Sequence, residues 1–228
     1  MSDRFEEHYW REASHYRKFG DYPEALRATA RWYVGLARLL SEHLPTTGRH
    51  LDAGCGHGAI VHMMAARGLD AYGVDASAWA IKEAKAFAPD LQDRFAVADI
   101  QTSVVIEGPF DLITSLEVVE HLEDPVSAIS VMTRALAPGG TLIVSTPNPV
   151  NRIPRNDPTT SDPTHISLHP PDWWREAVET AGLEVVRDLT YYPVPVLWRA
   201  STAFARWIPL GRVIGPGYLL VARARSER

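Results

Sequence analysis

Apolar residues change their spacing several times along the chain, and each change marks an element. From Pro23 to Leu44, the residues Leu26, Ala30, Val34, Ala37 and Leu40 recur at the spacing of one helix face, with arginines on the other faces. An amphipathic helix is therefore expected ahead of any sheet. A shorter helix is expected over Phe5 to Phe19, where Tyr9, Trp10 and Tyr16 would either fill a core edge or close over a ligand. After Gly48 the order becomes strand, glycine turn, helix, strand, helix: RHLDAG, Ala59 to Arg67, DAYGVD, Ser77 to Ala88. RFAVAD, FDLITS and GGTLIVST read as further strands, with a helix between Pro125 and Leu136. The chain then offers a helix from Asp172 to Ala181, a strand from Leu183 to Thr190, a helix near Val196 to Trp207 and a last strand around Tyr218 to Ala224.

Such alternation predicts an α/β fold, a mostly parallel sheet covered by helices on both faces, with the final strands forming an antiparallel end. Residues 1–228 read as one domain: a helical cap over 1–47, a ligand-binding core over 48–148, a loop over 149–171, and a part over 172–228 that completes the sheet and adds pocket helices. The loop carries Pro149, Pro154, Pro158, Pro163 and Pro170 and is too long for a simple connector, so it is expected to cover an active site.

Composition narrows the picture only slightly. A hydrophobic content of 46% in 228 residues suffices for a full core, and the single cysteine, Cys55, excludes an intrachain disulfide. A net charge of -5 disfavours nucleic acid as a partner and leaves a small molecule. The apolar stretch from Tyr191 to Val221 is broken by Arg199, Arg206, Arg212 and prolines, so no transmembrane segment is expected. The charged start MSDRFEEHYWRE has no basic-then-apolar leader, which reads as cytoplasmic. Oligomeric state stays open.

Candidate chemistry begins at Leu51-Asp52-Ala53-Gly54-Cys55-Gly56-His57-Gly58, where the first strand turns into the first helix of the core. Glycines there let the backbone approach a ligand closely. Read as Gly54-x-Gly56-x-x-Ala59, the same residues also match a dinucleotide fingerprint. Asp75 ends the second strand, where a carboxylate can accept both hydroxyls of a ribose, and Asp99 ends the third. Taken singly, Asp52 could cap a turn, Asp75 a helix, and Asp99 could simply close a strand. Together, with the LAPGGTLIVSTPN turn from Leu136 to Asn148, they resemble the class I S-adenosylmethionine-dependent methyltransferases over roughly Arg49 to Asn148. The resemblance implies a Rossmann-like sheet and S-adenosylmethionine as cofactor. It also implies a cofactor site of Asp52, Gly54, Gly56, Gly58, Asp75, Ala76, Asp99, Ile100 and Leu116, with Asp99 on the adenine amino group.

After the fourth strand comes Ser115-Leu116-Glu117-Val118-Val119-Glu120-His121-Leu122. If this stretch is helical, Glu117, Glu120 and His121 share one face and converge on one divalent ion, with His165 of the long loop as a fourth ligand. The Glu-x-x-Glu-His pattern followed by a later histidine resembles the magnesium-dependent small-RNA 2′-O-methyltransferases, and EVVEH resembles the ubiquinone-biosynthesis O-methyltransferases. That implies O-methylation with a divalent metal (Mg, Mn, Fe or Zn) on Glu117, Glu120, His121 and His165. Without metal, His121 or His165 is the candidate catalytic base. His169, Trp173, Trp174, Tyr191, Tyr192 and Trp198 are candidate lining of the substrate pocket, and one of the two adjacent tryptophans is expected in the core.

The leading reading is therefore a methyltransferase acting on an oxygen of a small molecule. A metal-free N- or C-methyltransferase with a histidine base and an NAD-dependent oxidoreductase stand as alternatives. The oxidoreductase would need a catalytic tyrosine-lysine, histidine or cysteine arrangement, and none stands out in the chain. A non-catalytic binding protein of the same fold would be expected to lack the acidic and glycine positions that are present here.

Overall fold

The structure, a computed structural model, describes residues 5–13, 33–152, 162–193, 207–211 and 214–226. Strands β1 (Arg49–Ala53), β2 (Asp70–Asp75), β3 (Phe95–Val97), β4 (Phe110–Leu116) and β5 (Leu136–Pro147) run parallel, while β6 (Glu184–Pro193), β7 (Trp207–Pro209) and β8 (Gly217–Arg223) pair antiparallel. Their order in the single sheet is β3-β2-β1-β4-β5-β8-β6-β7. The last strand of the chain, β8, thus inserts between β5 and β6, unlike the 3-2-1-4-5-6 order of the common dinucleotide-binding fold.

The central strands are buried on both faces, with the polar residues His50, Asp52 and Thr114 set among their apolar positions. Their side chains alternate between two cores. Leu112, Ile143, Leu219 and Val221 pack on one face, and Ile113, Leu142, Leu220 and Ala222 on the other. The first core is closed by α1 (residues 33–39), α2 (Ala59–Ala66) and α3 (Ala78–Phe87), through Leu36, Ile60, Val61, Met64, Ile81 and Ala84. The second is closed by α4 (Pro125–Ala135) and α5 (Pro171–Thr180), through Ala128, Ile129, Met132, Trp174 and Val178.

Helix starts follow capping chemistry. Ser77 accepts from the Ala80 amide at 3.0 Å to open α3, and Asp124, followed by Pro125, accepts from the Ser127 amide at 2.9 Å to open α4. Each cap stabilises by about 1 kcal/mol.

Three features differ from expectation. The helix read up to Trp207 gives way at that residue to β7, where Trp207 pairs with Pro193 and stacks on Tyr191 at 4.2 Å; residues 194–206 lie outside the described residues. The stretch after β4 is a strand exit followed by a short 3₁₀ turn, Val119–His121, instead of a continuous helix. The helix expected over Phe5–Phe19 is helical over residues 7–13 but takes a π-type winding at Tyr9–Ala13, and its remainder, with Tyr16, Trp198 and the body of the expected Pro23–Leu44 helix, falls outside the described residues.

Candidate active site

Five parallel strands deliver their carboxyl ends to one edge, and the chemistry-bearing residues gather there. β1 ends in Asp52 and Ala53, and the chain turns back at once because the Gly54 and Cys55 amides both donate to the Val74 carbonyl, at 2.8 and 2.9 Å. Gly54 takes φ +87° with Val118 packed where a Cβ would stand. Only glycine fits that turn.

Asp75 closes β2. Its Oδ2 accepts from the Gly56 amide and its Oδ1 from the Ser77 amide, both at 2.9 Å, so one carboxylate ties the glycine loop to the start of α3. Burial pushes this carboxyl above its ordinary range, and the two amides pull it back down. Asp99 stands just past β3 and accepts from the Gln101 amide at 3.0 Å, while the Ala98 amide donates to the Asp75 carbonyl, joining the two acidic ends. Gly58 precedes α2, Ala76 is half-buried between Asp75 and Ser77, and Ile100 and Leu116 are buried in the two cores. The expected cofactor residues therefore sit on contiguous strand ends, the usual ligand-binding edge of such sheets.

Beside that edge lies a second cluster. Glu120, His121 and His165 each offer one ligand atom, all within 4.8 Å of one another. Glu120 is fully buried, and the polar side chain that faces its carboxylate is the Thr146 hydroxyl, set too poorly to make a well-formed hydrogen bond. Burial, then the charge of Glu117, pushes the Glu120 carboxyl far up. A carboxylate buried without partners is costly unless a cation or proton compensates it. Two imidazoles and a carboxylate are a donor set that suits a divalent cation.

The loop after β5 supplies the third member. Ser167 donates from its amide to the Glu120 carbonyl at 2.9 Å and from its hydroxyl to the Leu122 carbonyl at 2.6 Å, pinning His165 over the turn. Thr164 gives its hydroxyl proton to Asp162 at 2.6 Å, so its oxygen accepts from His121 Nδ1 at 2.9 Å. That fixes the tautomer, leaving the lone pair on Nε2.

Glu117 does not join the cluster. It leaves β4 with φ +57°, which breaks the helical spacing expected to align it with Glu120 and His121. Its carboxylate turns to the other side of the turn and accepts from Ser145 Oγ at 2.9 Å and Tyr191 OH at 3.0 Å. Of the aromatic candidates, Trp174 is the core member and Trp173 stacks on His169 at 3.7 Å. Tyr191 is buried behind Glu117.

The start of the chain covers both halves of the site. Glu6 accepts from the Ala78 and Trp79 amides at 3.2 and 3.3 Å. Trp10 lies over Gly56 and packs on His57 at 4.4 Å, and Phe5 meets His121 edge-on at 5.5 Å. Tyr9 is buried, as the packing role requires, and its ring lies 6.3 Å from that of His121. Phe5, Glu6 and Trp79 were not legible as site residues, since nothing local marks a contact across some seventy positions of sequence. His50 and Thr114, polar residues inside apolar strand runs, did carry a signal.

The methyltransferase domain family matches residues 23–188. The ubiquinone biosynthesis O-methyltransferase of Alkalilimnicola ehrlichii is 36% identical over 111 residues, 47% of this chain and 44% of that protein. Its namesake from Marinobacter nauticus is 29% identical over 201 residues, 78% of each chain. The chain thus spans about half the length of the first of these relatives. A Thermotoga maritima S-adenosylmethionine-dependent methyltransferase, described as a possible histamine N-methyltransferase, superposes with a TM-score of 0.67 at 15% identity, over 94% of this chain and 97% of that one. No helix among the described residues is long and apolar enough to cross a membrane.

Proposed function

The chain belongs to the methyltransferase domain family, with S-adenosylmethionine as cofactor, and from that premise we propose that it methylates an oxygen of a small-molecule acceptor. The observation that carries the reading is the fully buried carboxylate of Glu120, without a well-formed hydrogen bond, beside His121 and His165 and next to the strand ends that carry Asp52, Asp75 and Asp99. The relatives named as O-methyltransferases support oxygen as the accepting atom.

The turn at Gly54, Gly56 and Gly58, whose missing Cβ positions face Val118, Trp10 and Phe95, would bring its backbone to the cofactor. Asp75 would accept from its ribose hydroxyls and Asp99 from its adenine amino group. Asp52 is then the acceptor left for the amino group of its amino-acid part. Once bound, the cofactor supplies a methyl group on a sulfonium, which an acceptor oxygen displaces in line. The protein's share is to align that oxygen and manage its proton.

Glu120, His121 and His165 would hold a divalent cation, which lowers the pKa of a hydroxyl held against it. Glu117 becomes a fourth ligand only if it leaves Ser145 and Tyr191. In the absence of a cation, His121 Nε2 is the base that takes the acceptor's proton. Within a single domain over 1–228, residues 162–167 of the expected cover bring His165 over the turn, while residues 153–161 lie outside the described residues. The acidic balance favours a small acceptor over nucleic acid.

The test is calorimetric titration of chelator-treated protein with magnesium, manganese, iron(II) and zinc in the presence of S-adenosylhomocysteine, repeated on His121→Ala. Saturable one-site binding that disappears in the variant supports metal-assisted O-methylation and points the acceptor search to catechols and vicinal diols. Absence of binding by every ion refutes the metal and leaves His121 as the base.

A further inference from the structure

Two polar side chains lie inside the sheet behind the glycine turn, and the chemistry proposed above does not use them. His50 and Asp52 are two residues apart on β1 and so face the same side, and Thr114 of β4 stands in register with Asp52. The Thr114 hydroxyl bridges them, with Oγ1 at 2.6 Å from Asp52 Oδ1 and 2.9 Å from His50 Nε2. His50 is 0% exposed, Thr114 2% and Asp52 3%, so water does not compete for these bonds.

A hydroxyl has one proton, and this sets the direction of the relay. With Asp52 ionised, Thr114 donates to the carboxylate, and His50 must donate from Nε2 to Thr114. His50 Nδ1, which has no hydrogen-bond partner, then holds only a lone pair. A proton on Asp52 Oδ1 would reverse every bond and move the imidazole proton to Nδ1, a buried donor with no acceptor, whereas a proton on Oδ2 would leave the bonds in place but forfeit the stronger bond that Thr114 makes to a charged oxygen. Leaving a buried N–H unsatisfied is the costlier arrangement. Nor does a charged imidazolium offer a way out, because burial drives the His50 pKa down to about 3. The sealed end of the relay therefore biases its other end.

We propose that His50 and Thr114 are positioning residues that hold Asp52 as an oriented, acceptor-only carboxylate for the cationic amino group of the cofactor. The proposal rests on reading Asp52 as a cofactor contact. Only Oδ1 of Asp52 is engaged by the protein among the described residues, which leaves Oδ2 for a ligand. The titratable groups that face Asp52 are His50 through Thr114, Asp75 and Cys55. Burial lifts the Asp52 carboxyl to about 7, the Thr114 bond opposes the lift, and the Asp75 charge adds to it. Near neutrality the ionised fraction is thus sensitive to one hydroxyl.

The experiment is calorimetric titration with two probes, S-adenosylhomocysteine and 5′-methylthioadenosine, which lacks the amino-acid part, across about pH 6 to 9. Thr114→Val is expected to weaken S-adenosylhomocysteine about tenfold near neutral pH, as loss of a hydrogen bond to a charged group does. It should also shift the loss of affinity to higher pH and leave 5′-methylthioadenosine unchanged. Thr114→Ser should restore both affinity and midpoint. If Thr114→Val does not fold, His50→Leu gives the same readout, since it removes the donor that orients Thr114. Wild-type affinity and midpoint in Thr114→Val, with S-adenosylhomocysteine still weakened in Asp52→Asn, overturns the relay alone. No effect of Asp52→Asn overturns the reading of Asp52 beneath it.

Discussion

Gly54→Ala tests whether the turn after β1 is built as described. At φ +87° an L side chain is strained by about 1–2 kcal/mol. The added Cβ would also stand 2.6 Å from Val118 Cγ1 and closer still to Cγ2. Overlap of that kind costs about 1–3 kcal/mol, because Val118 is half-buried against the second core and has little room to withdraw. Together the terms predict a loss of roughly 2–5 kcal/mol, or roughly 5–15 °C in Tm for a chain of this size. Urea unfolding of Gly54→Ala, Val118→Ala and the double variant separates the two terms. Val118→Ala should remove the overlap but not the backbone strain, giving a coupling of about 1–3 kcal/mol between the sites. A loss below about 1 kcal/mol in Gly54→Ala, or strict additivity in the double variant, would refute this account of the turn.

Glu120→Gln should raise the metal-free Tm by removing an uncompensated buried carboxylate, and should weaken divalent-cation binding at least tenfold; calorimetry and thermal melts read both, and no change in either refutes the cation site. Tyr191→Phe keeps the stack on Trp207 but strips a donor from Glu117, so urea unfolding should show a loss of about 1–2 kcal/mol that is absent once Glu117 is also changed to Ala. Trp10→Phe should remove most of the tryptophan fluorescence change on adding S-adenosylhomocysteine, because Trp10 lies over Gly56; an undiminished signal refutes that placement. His57, buried between Trp10 and Trp79, has its pKa lowered from 6.5 to about 3 by burial. The unfolded chain therefore takes up this proton first, and the stability it accounts for is lost as pH falls from 6.5 towards 3. His57→Asn should flatten the acid limb of stability against pH by about 1.4 kcal/mol per pH unit, and an unaltered slope contradicts the burial of a neutral imidazole.

The fold was legible because its signals are local. Period-two and helical patterns placed β1, β2, β4, α2, α3, α4 and α5 to within a few residues, and glycine, serine and proline marked their ends. The insertion of β8 between β5 and β6 was visible only as an expected antiparallel end. Strand order depends on which apolar faces meet, and a single sequence does not record that. β7 was missed because its three residues, with Trp207 buried and Ile208 exposed, are too short to establish a period.

At the site the boundary between legible and illegible runs through one stretch of sequence. The placement of Asp52, Asp75 and Asp99 could be read because each lies at or just past the end of a strand, and the strand ends of a parallel sheet gather at one edge. Glu117 could not, because its position depends on a backbone angle. At φ +57° it aims at Ser145 and Tyr191, whereas a helical residue there would have aimed beside Glu120. Tyr191 in turn reaches Glu117 across 74 residues of sequence, over a Gly217 whose missing Cβ leaves room for the ring. Patterns of residue type show which side chains are able to do chemistry. Which of them face one another is decided by contacts such as these, where a strained turn and a distant glycine act together.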